Sequence, residues 1–370
     1  MARFPNERIP STSAVVGHFL FIIARVTLPP RDARTLARPL LVWYQSARRD
    51  LPWRSGRDPY RVWISEIMLQ QTTVGAVVPY YRRFLRAFPT VRALASARLD
   101  DVLAAWSGLG YYRRARHLHQ AARTVVARHG GRFPRGLEDA LALPGVGRYT
   151  AGAVLSIAYS LPVPVVDGNV ARVLSRLLLI EDPRTAASRR RLWGAAAALV
   201  EASAEAPGDL NQALMELGAT VCLPRRPACG ACPISRRCAA RAAGREEEVP
   251  SPPRRRRPVE VRSAVAVVLR GGRLLLVRRR DTSLMQGLWE LPPARSRGSA
   301  DCLRLHLERP VATVRHAITY RRLRIDVHPA RLLSEPRKGR HRWVTRGDLH
   351  RLPTSSIVHK VLAAFPEPPV

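Results

Sequence analysis

Four cysteines lie close together in the sequence, with the spacing C-x6-C-x2-C-x5-C. Thiolates are ligands for soft metals, and four of them within one short segment can surround a single tetrahedral ion or an iron–sulfur cluster. On ligand type alone, zinc and an iron–sulfur cluster are both compatible with this segment. The candidate metal ligands are Cys222, Cys229, Cys232 and Cys238.

Two acidic residues stand in segments that are otherwise rich in apolar residues. Glu66 lies in WISEIMLQQT, and its helical neighbours include Trp63 and Leu69. A carboxylate with such neighbours is either an exposed residue of the helix or a buried acid with a raised pKa. Asp167 directly precedes a predicted helix, where Asp is a preferred N-cap, and Asn169 could share that role. The pattern alone leaves these alternatives open.

A turn with two glycines, LPGVG, comes directly before a predicted helix that contains Tyr149. Glycine permits backbone geometry that a side chain would forbid, and N–H groups at a helix N-terminus can bind a phosphate. Gly145 and Gly147 are therefore candidates for contact with an anion. By itself the turn is a weak signal, because many turns between helices look like it.

The rest of the sequence indicates how these residues are positioned. Apolar residues recur at three- and four-residue spacing from about Thr35 to Gly244, which predicts an all-α domain of roughly ten helices. Charge runs and clustered prolines from Arg245 to Glu260 predict a linker. Beyond it, two short strands around a Gly-Gly turn, further strands and a closing helix predict an α+β domain.

The formal net charge is +34, from 62 basic and 28 acidic residues. Arginine-rich coding explains the shortage of lysine but not this imbalance, so the charge favours a polyanionic partner, most simply nucleic acid. Four clustered cysteines do not form a secreted disulfide framework and favour a reducing compartment. We expect a cytoplasmic, nucleoid-associated protein with no membrane partner, because the apolar stretch near the N-terminus is too short to span a bilayer.

The predicted organisation comprises five consecutive segments. They are an N-terminal extension (1–34) that is disordered or wrongly included at the start, a helical domain (35–221), a metal-binding loop (222–241), a linker (242–258) and a C-terminal domain (259–370).

The cysteine spacing after an all-helical domain, the LPGVG turn and an Asp twenty residues beyond Gly147 together resemble one family. The helical part, about residues 40–241, resembles the helix-hairpin-helix glycosylases similar to endonuclease III. The resemblance implies that the cysteine loop holds a [4Fe–4S] cluster, which disfavours zinc. It also implies that the glycine turn anchors the DNA backbone and that Asp167 stabilises the sugar cation formed when a base leaves.

Within that group, WISEIMLQQT resembles the adenine DNA glycosylases of the MutY family. The resemblance implies that Glu66 protonates adenine and that Gln71 lies near the damaged pairing partner. WSGLGYYRRARHL resembles the segment that enters the base stack, with Tyr111 as the inserted side chain. The further positions that it implies for substrate or DNA binding are Arg54, together with Trp53, Asn169 and Gln212.

Glycosylases of this fold that also cut the DNA strand carry a lysine two residues beyond the second glycine of the turn. This chain has Tyr149 there, and its lysines are Lys338 and Lys360. The resemblance therefore implies an enzyme that removes a base with water and lacks lysine-dependent lyase activity. The Tyr149 hydroxyl could also help to position the acids.

The C-terminal segment RRRDTSLMQGLWELPP resembles the Nudix-like reader domain of the same family. The glutamate-rich helix that a Nudix hydrolase needs for Mg²⁺ is missing after Glu290, which predicts binding without hydrolysis. Many relatives read 8-oxoguanine with a Phe-Ser-His triplet. Ile318, Thr319 and Tyr320 occupy those positions here, so only the hydroxyl of Thr319 is retained.

These observations predict a monofunctional glycosylase that removes adenine opposite 8-oxoguanine or guanine in double-stranded DNA and acts as a monomer. The alternatives are a thymine glycosylase of the same fold for G·T mismatches and a non-catalytic DNA-binding protein with a cluster. The presence of both Glu66 and Asp167 argues against the last alternative, and WISEIMLQQT with the reader domain argues against thymine.

Overall fold

The computed structural model of this 370-residue chain describes residues 28–252, 257–279, 285–294, 303–334 and 341–365. Two compact units are present. The first contains the described residues of Met1–Ile67 and Arg132–Pro253, and the second those of Met68–Gly131 and Arg254–Val370. The predicted domains are contiguous stretches of chain, whereas each of these units is assembled from two separate stretches.

The helices in chain order are α1 (Pro30–Ala47), α2 (Pro59–Leu69), α3 (Val74–Ala87), α4 (Val91–Ser96), α5 (Leu99–Ala105), α6 (Arg113–Arg128), α7 (Leu137–Leu141), α8 (Arg148–Tyr159), α9 (Gly168–Leu177), α10 (Ala186–Glu201), α11 (Pro207–Thr220), α12 (Ala239–Ala242) and α13 (Ser356–Ala364). Twelve of them lie in residues 28–252, slightly more than the predicted ten, because several are single turns such as α7 and α12.

Helices α1, α9, α10 and α11 form the core of the first unit. Helix α1 shows why, because its buried residues recur at three- and four-residue spacing and so share one face. They are Ala33, Leu36, Ala37, Leu40 and Tyr44. Helix α1 begins at Pro30, and Ala33 in its first turn is buried. The helix therefore starts inside the segment 1–34 that the sequence assigns to an extension. Residues 1–27 of that predicted extension lie outside the described residues.

The segment after the cysteines packs on the first unit instead of leaving it as a linker. Val249 is buried, and its carbonyl accepts a hydrogen bond from the Arg176 side chain at 2.8 Å. The Ser251 N–H donates to the Glu181 carbonyl at 2.8 Å. Within the predicted linker 242–258, Val249 and Ser251 thus have hydrogen-bond partners in the first unit.

Helices α3 to α6 form the part of the second unit that comes from residues 68–131. Phe84 and Trp106 are fully buried there and meet edge to face, with ring centroids 5.6 Å apart. Leu94 on α4 and Leu118 on α6 are buried as well, and these two helices pack against each other. The segment between α5 and α6 carries Tyr111.

The described strands are β1 (Val259–Arg270), β2 (Arg273–Arg278), β3 (Trp289–Glu290), β4 (Leu305–Leu307), β5 (Ala312–Ile318), β6 (Arg321–Leu332) and β7 (His341–Val344). They form one sheet of order β3-β2-β1-β6-β4, in which β5 pairs with β6 and β7 with β2. The predicted β1–β2 hairpin is confirmed, and Gly271 and Gly272 both adopt positive φ at its turn. The parallel pairing of β1 with β6 joins distant residues and was not predicted.

The C-terminal residues of the second unit are hydrogen-bonded to its helical part. The hydroxyls of Ser107 and Tyr112 donate to the Thr354 carbonyl at 2.9 and 3.0 Å. Arg278 pairs with Asp100 at the start of α5. These contacts explain why residues 68–131 form one unit with the C-terminal sheet. Among the described helices, none has the length and apolar character needed to cross a membrane.

Candidate active site

Helix α2 places Glu66 inside the first unit. The residue is only 4% exposed, because the flanking residues of α2 are among the most deeply buried in the chain. Burial raises the pKa of Glu66 from its ordinary 4.5 to about 7, since a charged carboxylate is poorly solvated there. Of the two alternatives that the sequence left open, the structure therefore shows a buried acid with a raised pKa.

Tyr149 lies in the first turn of α8, and its hydroxyl donates a hydrogen bond to Oε2 of Glu66 at 2.5 Å. The hydroxyl also lies 3.5 Å from Sδ of Met215. Burial, together with the nearby carboxyls of Glu66 and Asp167, raises the pKa of Tyr149 well above its ordinary value. Tyr149 therefore keeps its proton and acts as a donor to Glu66.

Asp167 is the N-cap of α9, as its sequence position allowed. One carboxylate oxygen accepts from the Val170 N–H at 2.7 Å, and the other accepts from the Asn169 side-chain amide at 3.0 Å. Burial raises the pKa of Asp167, and these hydrogen bonds partly offset the effect. The charge of Asp167 also raises the pKa of Glu66, so the two acids are electrostatically linked.

The turn before α8 uses its two glycines differently. Gly145 adopts a φ of +75°, which favours glycine, whereas Gly147 has an extended backbone with open space around it. The expectation that both glycines permit forbidden geometry is therefore correct only for Gly145. Gly147 is the N-cap of α8 and offers no side-chain cap, which leaves room for an anion near that helix end.

A buried carboxylate that the sequence reading missed, Glu216 on α11, is paired with two arginines. Arg49 contacts it through Nε at 2.6 Å and a second nitrogen at 2.9 Å, and Arg54 through one nitrogen at 2.8 Å. Burial raises the pKa of Glu216, but these hydrogen bonds outweigh it and hold the pKa at about 2. Glu216 lies four residues after Gln212, on the same helix face, and this spacing is the sequence feature that could have indicated it as a residue of the site.

Arg54 connects this ion cluster with Glu66. Its charge lowers the pKa of Glu66, while its guanidinium is bonded to Glu216 and lies over the Tyr44 ring at 5.6 Å from the centroid. Gln212 is half-buried on α11. The neighbouring Asn211 is the core amide, because it is fully buried and bonds Ser156 and the backbone of residues 163 and 165.

The cysteine loop is linked to the cap of α9 through arginine. Arg172 donates to the Asn169 side chain at 2.9 Å and to the Cys222 carbonyl at 2.8 Å. Arg176, which is buried, donates to the Cys222 sulfur at 3.2 Å and to the Leu223 carbonyl at 2.7 Å. The loop backbone is thus held directly against the helix that Asp167 caps.

The cysteine loop provides four thiols as possible metal ligands. The four cysteines are free thiols and half-buried, and each of the others influences the pKa of Cys232 electrostatically. No group of three or more metal-binding side chains among the described residues is disposed around a single ion. By ligand type, the four thiols fit a thiolate-bound metal group such as an iron–sulfur cluster.

The remaining predicted positions lie in the second unit. Gln71 follows α2 and Tyr111 precedes α6; both are exposed, and both adopt positive φ, of 57° and 50°. Thr319 is exposed at the two-residue turn between β5 and β6, with a φ of 54°, and its hydroxyl donates to the Ile318 carbonyl. The structure thus brings together Glu66, Tyr149, Asp167 and Arg54 in the first unit, separately from these three.

Comparison with known proteins matches both parts of this fold. Residues 64–197 match the HhH-GPD superfamily of base excision DNA repair proteins, and residues 264–364 match the NUDIX domain. The fold and these two matches define a chain of the helix-hairpin-helix HhH-GPD superfamily with a C-terminal Nudix-like region. The predicted fold class is confirmed.

The chain is 39% identical over 347 residues to the adenine DNA glycosylase of Homo sapiens, covering 79% of this chain and 62% of that protein. It is 34% identical over 257 residues to the adenine DNA glycosylase of Buchnera aphidicola subsp. Schizaphis graminum (strain Sg), covering 68% of this chain and 73% of that protein. The chain belongs to the adenine DNA glycosylase family. It spans less than two thirds of the length of the human relative.

A solved structure of a thermostable thymine-DNA glycosylase is also similar. Its TM-score is 0.52 at 32% sequence identity, and the match covers 58% of this chain and 98% of that one.

Proposed function

We propose that this chain is a monofunctional DNA glycosylase that removes adenine opposite 8-oxoguanine or guanine. The observation that supports this most is the state of Glu66, a buried carboxyl with a pKa of about 7 that accepts a hydrogen bond from Tyr149. A general acid works best when its pKa lies near the operating pH. The chain belongs to the adenine DNA glycosylase family, and this membership supports adenine as the base that is removed.

In the proposed reaction Glu66 donates its proton to a ring nitrogen of adenine and so makes the base a better leaving group. Positive charge then develops on the sugar, and the ionised Asp167 stabilises it. Its cap hydrogen bonds orient the carboxylate at the N-terminus of α9. The two acids thus take opposite protonation states, as paired acids in glycoside cleavage do.

Tyr149 limits the reaction to base removal. A lysine amine at this position would attack the sugar and form a Schiff base, which leads to strand cleavage. The tyrosine hydroxyl instead keeps its proton and stays bonded to Glu66. We therefore propose that water completes the reaction and that the product is an intact strand with an abasic site.

The proposed partner is double-stranded DNA that contains a mispaired adenine, bound by a protein monomer. The net charge of +34 supports attraction to phosphates, and the Gly145–Gly147 turn provides a helix end for one of them. The adenine has to leave the stack before Glu66 can reach it, and this costs less for a mispaired base. Gln71 and Tyr111 are exposed side chains suited to fill the space left in the stack.

We propose that Cys222, Cys229, Cys232 and Cys238 hold a [4Fe–4S] cluster. A cluster of this kind supplies redox capacity and a rigid centre that orders the loop around it. Protein purified without oxygen should contain about four irons and four sulfides per chain, the stoichiometry of a cubane. One zinc ion per chain without iron would reject the assignment.

We propose that Thr319 is part of the reader for the base opposite adenine, because it lies exposed at the turn between β5 and β6. Thr319→Val should leave excision opposite guanine unchanged and reduce the preference for 8-oxoguanine. Thr313→Val is a matched control, because that hydroxyl bonds Asp326 within the same strand pair. Point variants are preferable to deleting the C-terminal region, because residues 68–131 share a unit with it.

The decisive experiment measures which free base is released from mismatched duplexes. Release of adenine opposite 8-oxoguanine or guanine is the expected result. Release of thymine from G·T duplexes would favour the second candidate, which the similarity to a thymine-DNA glycosylase supports. Tight binding without release of any base would identify a non-catalytic DNA-binding protein.

A further inference from the structure

Two exposed tips of the second unit share an unusual backbone geometry. Gln71 forms the first tip, defined here as residues 70–72, and Tyr111 lies in the second tip, defined as residues 107–112. Both residues have a positive φ, a region that non-glycine residues occupy only when their surroundings hold them there. The structure should therefore contain contacts that fix the two tips.

Arg114, in the first turn of α6, supplies contacts of this kind to both tips. One terminal nitrogen donates to the carbonyls of Met68 and Gln70, at 2.9 and 2.5 Å. The other donates to the Gly110 carbonyl at 3.3 Å and lies 3.3 Å from the Thr72 hydroxyl. A single guanidinium thus contacts the residues on both sides of Gln71, through the Gln70 carbonyl and the Thr72 hydroxyl, and also bonds the carbonyl of the residue directly before Tyr111.

The same guanidinium also packs between aromatic rings. Its central carbon lies 5.2 Å from the ring centroid of Tyr111 and 5.5 Å from that of Trp106. Trp106 is fully buried, and its indole N–H donates to the Gly110 carbonyl at 3.0 Å. The cation is therefore fixed to a rigid part of the core on one side and to an exposed side chain on the other.

We propose that Arg114 is a positioning residue that holds Gln71 and Tyr111 as one two-pronged element for insertion into DNA. The proposal rests on the proposed function, since it assigns the two prongs to a DNA duplex. Arginine suits this role because its planar fork presents several N–H groups in fixed directions. Lysine carries the same charge on one nitrogen and cannot bond both tips in the same way.

The first test uses the free protein and needs no activity. Arg114→Lys should make amide hydrogen exchange at least roughly tenfold faster in both tips. In the variant, local opening of a tip does not have to break the hydrogen bonds that the Arg114 guanidinium makes to it in the wild type. Arg123→Met, an exposed arginine on the same helix, is the control and should change neither tip. Unchanged exchange in Arg114→Lys, or a change confined to one tip, would overturn the proposal.

The second test measures insertion on DNA with 2-aminopurine in place of adenine, whose fluorescence rises when the base leaves the stack. Arg114→Lys should lower the unstacking rate roughly tenfold with little loss of duplex affinity, because its charge is kept. In the Tyr111→Ala, Gln71→Ala background the same substitution should have almost no effect. Equal effects in both backgrounds would show that Arg114 acts through overall stability and would overturn the proposal.

The two proposals fail separately. If the wild-type protein releases no adenine but Arg114→Lys still loosens both tips and slows unstacking, the proposed reaction is wrong and the role of Arg114 stands. If the wild-type protein releases adenine but Arg114→Lys changes neither the hydrogen exchange of the tips nor the unstacking rate, the proposed reaction stands and the proposed role of Arg114 is wrong.

Discussion

Glu66 and Glu216 are both buried glutamates of the first unit, yet their acidities differ widely. Glu66 is 4% exposed and has a tyrosine hydroxyl as its hydrogen-bond donor, and its pKa is about 7. Glu216 is 1% exposed and is bonded to Arg49 and Arg54, and its pKa is about 2. Burial raises the pKa of both groups, so the difference comes from their partners.

The comparison shows how one fold can keep a proton available at neutral pH. The hydrogen bond from the neutral Tyr149 hydroxyl lowers the pKa of Glu66, but the effect of burial outweighs it. Two guanidinium groups do favour the ionised form of Glu216, and that pair fixes Arg54. Arg54, which bonds Glu216, also lowers the pKa of Glu66 through its charge.

The largest effect should follow from removing the proton donor. Glu66→Gln should reduce single-turnover excision of adenine roughly 10²-fold or more, the usual scale for a general acid, while mismatched duplex is still bound. Quenched-flow excision assays and binding titrations on the same duplex measure the two quantities. Excision near the wild-type rate would remove Glu66 from the proposed mechanism.

Loss of the paired glutamate should affect stability. Glu216→Gln should lower the free energy of unfolding by about 3 kcal/mol, because it leaves partly buried arginine charge uncompensated. Denaturant unfolding at pH 7 measures the change. Glu248→Gln is the control, since that residue pairs with Arg245 on the surface and its loss should be hardly measurable. Similar behaviour of the two variants would contradict the comparison.

Glu66→Gln should have the opposite effect on stability, and only in one pH range. The pKa of Glu66 is raised in the folded state, so its contribution to stability is present below about pH 4.5 and is lost as the pH rises through about 7. Glutamine avoids that loss, so the variant should be more stable than wild type by up to roughly 3 kcal/mol above pH 7. At pH 4.5 and below the two should be equally stable.

The smallest effect concerns the pH dependence of excision. The rate should fall above about pH 7 in the wild type, where Glu66 loses its proton. The Tyr149 hydrogen bond lowers the pKa of Glu66, so Tyr149→Phe should move this decline to higher pH. Tyr159→Phe is the control. Tyr159 lies on the same helix as Tyr149, but its hydroxyl donates to the Phe133 carbonyl instead of to Glu66. A decline that does not move would show that Tyr149 leaves the acidity of Glu66 unaffected.

Local sequence rules were sufficient for the elements and several of their ends. Three- and four-residue spacing located the helices, Gly271-Gly272 located the first hairpin, and the N-cap role of Asp167 was among the alternatives that its position left open. These local rules could not predict which stretches of chain pack together into each compact unit. Whether residues 68–131 join the helices that follow them or the C-terminal sheet depends on contacts such as Tyr112 with Thr354, which no local pattern contains.

The sequence by itself determined which acids, cysteines and glycines could do chemistry, because residue type and spacing limit the reactions available. Only the tertiary structure decided the charge state of those acids. Glu66 and Glu216 both stand among apolar residues of a helix, and nothing nearby in the sequence tells them apart. Burial raises the pKa of both acids, and their partners decide how far it is lowered again: Tyr149 for Glu66, and Arg49 and Arg54 for Glu216. The tertiary structure brings these partners close, and electrostatic interactions depend on distance in space.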